Sequence, residues 1–104
     1  MNKLDKETLR MDEHKNAELG FIKIKETGCT AIVYDYEKIV DNLSEWMYRE
    51  EAYEYVEFNI MNAWVGNHTP VIRMDHGFDN VDYVYFQAFN ELEGINDSEI
   101  LPIK

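Results

Sequence analysis

Cations are scarce in this chain: ten lysines and arginines stand against twenty-one aspartates and glutamates in 104 residues, a formal charge of −11. That imbalance argues against ordinary nucleic-acid binding, where a basic face neutralises phosphates, and against membrane insertion. Cysteine is nearly absent. The single Cys29 excludes an internal disulfide framework and fits a reducing compartment. Long apolar runs are missing too: Ala31-Ile32-Val33-Tyr34 is strand-sized, far below the roughly 18–20 residues that cross a bilayer. Met1 to Leu19 mixes charges of both signs without a continuous apolar stretch, so it does not read as a secretory signal. A cytosolic location is expected by elimination. Gly20, Gly28, Gly66, Gly77 and Gly94 never cluster into a phosphate-cradling loop, which leaves nucleotide hydrolysis without a motif.

What is present is enough for one core. The composition is 45% hydrophobic and 13% aromatic, which argues against wholesale disorder, and the length suits a single domain over 1–104. Charge is unevenly spread. Up to Lys25 the chain is near neutral, with Lys3, Lys6, Arg10, Lys15, Lys23 and Lys25 against Asp5, Glu7, Asp12, Glu13 and Glu18. Beyond it, only Lys38, Arg49, Arg73 and Lys104 oppose all the remaining carboxylates. Solubility alone explains such an excess; a surface built to meet something basic explains it more sharply.

The pattern predicts an α+β domain. Residues 1–19 form a polar segment, a short helix or a frayed end. Phe21 to Lys25 and Cys29 to Tyr34 read as the arms of a β-hairpin around Glu26-Thr27-Gly28. Asp35 is expected to cap a short helix over 36–45 carrying Ile39, Val40 and Leu43. After a break near Trp46-Met47, Ala52, Tyr55, Val56, Asn59, Ile60 and Ala63 form one apolar stripe of a second helix. Glu50, Glu51, Glu54 and Glu57 lie on its other side. Gly66 and Pro70 end it, and Pro70 to Met74 reads as a strand. Residues 81–93 are ambiguous: Val, Tyr and Phe enrichment says strand, whereas Val81, Val84, Tyr85, Ala88 and Leu92 at helical spacing favour a helix. The tail 95–104 reads as irregular.

Glu54-Tyr55-Val56-Glu57-Phe58-Asn59, then Ala63-Trp64-Val65-Gly66 and Thr69-Pro70, with Tyr34-Asp35-Tyr36 upstream, resemble a family of small phage and prophage proteins. The likeness covers about residues 20–74. It implies a mobile-element origin and an α+β module, and carries no reaction with it. Asn62 departs from the family's small residue before Ala63, and the junction at Ser44–Met47 is shorter and lacks the usual glycine. Residues 75–104 extend beyond the usual end of such modules and are expected to carry any specialised role.

Candidate chemistry is thin. His76 lies in Asp75-His76-Gly77-Phe78-Asp79-Asn80-Val81-Asp82, an oxygen-rich loop that could serve a metal-assisted catalytic module. It lacks the spacing of a calcium loop, and a solvated acidic turn is the plainer reading. His68 suits a turn hydrogen bond. Cys29, placed mid-strand, has no neighbouring base in sequence and reads as buried and inert. No cofactor, metal or catalytic residue is expected.

Aromatics give the stronger signal. Most of them must form the core, but Tyr48 and Tyr53 fall off the apolar stripe, beside the glutamates. Tyrosine beside carboxylate suits a protein-binding surface. The expected function is therefore that of a small acidic inhibitor occupying the basic, nucleic-acid-binding groove of a host protein, such as a CRISPR effector or a restriction enzyme. Glu50, Glu51, Glu54, Glu57, Tyr48 and Tyr53 would form its binding surface, with Asp75, Asp79 and Asp82 as a second patch. A structural homo-oligomer, for instance a homodimer, is the further alternative.

Overall fold

A computed structural model describes residues 8–25, 27–56, 68–85, 92 and 94–103. The domain is α+β. A four-stranded mixed sheet is built from β1 (Glu18–Lys23), β2 (Thr30–Asp35), β3 (Val71–Asp75) and β4 (Val81–Tyr85), in that spatial order. Two helices, α1 (Tyr36–Leu43) and α2 (Arg49–Tyr55), follow β2. β1 and β2 form the expected antiparallel hairpin, β2 and β3 run parallel, and β3 and β4 are antiparallel. The parallel pair needs the long helical connection, because a tight turn cannot join strands that point the same way.

Both sheet faces are covered, which explains why β2 reads as an unbroken apolar run rather than an alternation. On one face Phe21, Ile32, Tyr34, Ile72 and Val84 pack beneath Ile39 and Val40 of α1 and Ala52 of α2. On the other, Ile22, Ile24, Ala31, Val33, Val71 and Tyr83 are covered by Leu92, Ile95 and Ile100 from the C-terminal segment. Full burial of each such aliphatic side chain stabilises the fold by about 1.5–3 kcal/mol. The C-terminal segment is thus a layer of the fold.

Backbone bonds at Leu101 help fasten that layer. Phe21 N–H donates to Leu101 O (2.9 Å) and Leu101 N–H to Phe21 O (2.8 Å). Just before it, Leu19 is an extra residue in β1, since Glu18 faces Tyr34 and Gly20 faces Val33. Gly20 has φ +149°, and a Cβ there would stand 2.3 Å from Leu101 O. Only glycine lets the C-terminal segment close on this bulge.

The residues before β1 form a short 3₁₀ helix, Asp12–Ala17. They are tied to the sheet by Tyr34, whose hydroxyl accepts from Met11 N–H (2.6 Å) and donates to Glu18 (3.3 Å). Burial pushes the Tyr34 hydroxyl up to about 12. Asp35 stands at the N-cap position of α1, but its side chain makes no capping hydrogen bond. Cys29 lies in the hairpin turn just ahead of β2 and is half-buried, with its thiol 3.7 Å from Thr27 O.

The helix favoured over 81–93 is corrected for its first residues, because 81–85 is β4. Val81, Tyr83 and Tyr85 pack on one face and Val84 on the other, and the segment pairs with β3 from Val71↔Tyr85 to Asp75↔Val81. Pairing along a neighbouring strand outweighs a local helical spacing. Residues 86–91 and 93 lie outside the described residues, as do 57–67, where the rest of the α2 stripe and Gly66 were expected.

Candidate partner-binding surface

The turn joining α1 to α2 sets the geometry of the acidic surface. Ser44 N–H and Oγ–H both donate to Val40 O, and Trp46 N–H donates to Leu43 O (3.0 Å). This closed turn leaves Trp46 83% exposed, and Tyr48 two residues on is 79% exposed. Glu45, Glu50, Glu51 and Glu54 are exposed around them. None of these carboxylates forms an ion pair among the described residues. Glu50 and Glu51 occupy the first turn of α2, where the helix dipole offsets their mutual repulsion. Glu57 lies outside the described residues.

Tyr53 is placed differently from Tyr48. It is half-buried, its ring centroid 5.6 Å from that of Tyr36, and its hydroxyl donates to Glu37. Arg49 closes the same cluster. Its guanidinium bonds Asp41 (2.7 Å) and Glu37 (2.5 Å) and stands 5.5 Å from the Tyr53 ring centroid. The hydrogen bond to Asp41, followed by Tyr53, holds the Arg49 pKa above its ordinary value. Arg49 therefore neutralises α1 carboxylates and leaves the α2 glutamates uncompensated.

The loop patch is divided by the sheet. Asp75 Oδ1 accepts from Gly77 N–H (2.8 Å) and so shapes the β3–β4 turn, in which Phe78 and Asp79 both adopt positive φ. His76 Nε2 pairs with Asp82 Oδ2 at 2.9 Å. Because side chains alternate along a strand, Asp82 points to the helix-covered face with Val84, whereas Asp75 points to the other with Arg73 and Tyr83. Asp75 and Asp79 line an open cleft of about 520 Å3 there. The helix glutamates and the cleft aspartates therefore belong to opposite faces of the sheet. Among the described residues no three His, Cys, Asp or Glu side chains converge as a metal would need.

That cleft has an anchor sequence reasoning missed. Arg73 donates through Nε and Nη2 to the two oxygens of Asp97, both at 2.9 Å, and the Tyr83 hydroxyl donates to the same carboxylate. The Arg73 bonds, aided by Tyr83, hold the Asp97 carboxyl down at about 2, while burial first and then Asp97 push Tyr83 up to about 12. The three residues stand far apart in sequence, so no local spacing signals them. Trp46 was missed as a surface residue for a related reason: the closed turn decides its exposure.

No helix among the described residues is long and apolar enough to cross a membrane. Neither a protein-family profile nor a curated protein nor a solved structure matches this chain.

Proposed function

We propose that this protein is a small phage or prophage inhibitor that works in the host cytosol by occupying a basic, nucleic-acid-binding surface of a host protein, as a DNA mimic of the anti-CRISPR or anti-restriction kind would. One observation carries the reading: Trp46 and Tyr48 are about four-fifths exposed amid the uncompensated carboxylates of Glu45, Glu50, Glu51 and Glu54. Large aromatics left in water cost solubility, and they gain a use when a partner buries them. Carboxylates around them speed encounter with a basic surface and select against acidic ones. The phage-family likeness of residues 20–74 supports the setting, since mobile elements meet host nucleases directly.

The test is capture from host lysate on the immobilised protein, with duplex DNA as competitor. The reading expects nucleic-acid-binding proteins in the eluate, displaced by DNA and lost with the combined Glu50→Lys, Glu51→Lys and Glu54→Lys substitutions. Capture that survives both the charge reversal and the DNA would overturn it.

A further inference from the structure

A second open cleft of about 520 Å3 lies where the Asp12–Ala17 helix meets the α1–α2 junction. Trp46 and Tyr55 are its aromatic residues, and Glu13 and Glu45 its carboxylates. Tyr55 was expected on the buried stripe of α2; it is 41% exposed, while Ala52 and Val56 take the core positions. Its ring is thereby free to line the cleft with Trp46. His14, 3% exposed, also lines it. Asn42 Nδ2 stands 3.3 Å from His14 Nδ1, and Asn42 is itself held by a reciprocal pair of bonds with Asn16 at 3.0 and 2.7 Å. Burial lowers the His14 pKa despite the nearby Glu13, so the imidazole is neutral at neutral pH. No lysine or arginine lines the cleft among the described residues. Two aromatic rings, two carboxylates and, among the described residues, no opposing cation make a cavity complementary to positive charge.

We propose that this cleft receives one arginine side chain of the basic partner, its guanidinium held against the Trp46 and Tyr55 rings and within reach of Glu13 and Glu45. The inference rests on the partner-binding reading above and names the contact that anchors it. Arginine is the occupant that uses every feature. Its planar, weakly hydrated guanidinium stacks on aromatic faces, and its forked N–H groups suit carboxylates. The open shape suits a side chain presented from a surface.

The cleft can be tested without the partner. N-acetyl-arginine amide, and its neutral isostere N-acetyl-citrulline amide, are titrated into the full chain while the Trp46 indole N–H is followed by NMR, assigned by its loss in Trp46→Phe. Arginine amide is expected to shift that resonance saturably in the roughly millimolar range, about tenfold more tightly than citrulline amide. Glu13→Gln with Glu45→Gln should weaken it several-fold while leaving the rest of the spectrum folded. Equal response to citrulline amide, or no saturable shift from arginine amide, overturns the inference. If that happens while the glutamate reversal on α2 still abolishes DNA-competed capture, the arginine site falls and the inhibitor reading stands. A tight arginine response with no DNA-competed capture has the opposite meaning.

Discussion

Tyr53 on α2 donates its hydroxyl to Glu37 on α1, standing 3.1 and 3.0 Å from the two carboxylate oxygens. The bond joins the two helices beneath the acidic surface, with Arg49 bridging the same carboxylate. Tyr53 therefore supports the surface and Tyr48 belongs to it. Tyr53→Phe is expected to cost about 1 kcal/mol, the net worth of a half-exposed bond to a charged acceptor, while leaving partner affinity nearly unchanged. Tyr48→Ala should do the reverse, with stability unchanged within about 0.5 kcal/mol and binding weakened. Urea unfolding and a binding isotherm on both variants separate the roles.

Gly20 and Gly94 both have positive φ, but only Gly20 is crowded, by Leu101 O and Ile100. Gly94→Ala is expected to cost about 1 kcal/mol of backbone strain. Gly20→Ala adds displacement of the C-terminal segment and should cost about 2–4 kcal/mol. Comparison of urea midpoints checks the ranking, and equal costs would show that the Phe21–Leu101 closure contributes little.

Asp97 contributes to the acid sensitivity of the fold. Its carboxyl is depressed to about 2 when folded and returns to about 3.9 in the unfolded chain, so the unfolded state takes up the proton first. The stability it contributes is present above about pH 4 and is lost as the pH falls towards 2. Asp97→Asn should be less stable at neutral pH and show a shallower decline across that window in thermal unfolding.

His14 works through the opposite charge with the same pH sign. Burial lowers its folded pKa below 6.5, so protonation favours the unfolded chain. Stability from this residue is complete above about pH 6.5 and falls with the pH below that, until the folded imidazole also protonates. His14→Gln should flatten the stability profile just below about pH 6.5; an unchanged slope would place the titration elsewhere.

How much of this is legible in sequence depends on whether the deciding contact is local. The β1–β2 hairpin and α1 are readable because the apolar run Ala31-Ile32-Val33-Tyr34 and the Ile39, Val40 and Leu43 face are each set within a few residues. β4 is not, since Val81, Val84 and Tyr85 satisfy helix and strand spacing alike and the choice is made by β3. The glutamates of α2 are readable as an exposed row from their spacing alone. Trp46, Tyr53 and Tyr55 are not, because a turn closure, a neighbouring helix and a cleft wall decide their surroundings. Asp97 is invisible for the same reason: its partner Arg73 lies 24 residues away.

The most direct test of the inhibitor reading is the salt dependence of binding to a captured partner, compared between the natural chain and the combined Glu50→Gln, Glu51→Gln and Glu54→Gln variant. The account predicts affinity that falls steadily from low to physiological salt for the natural chain, and a weaker, flatter dependence for the variant. Identical affinity and identical salt slope for the two proteins would contradict it.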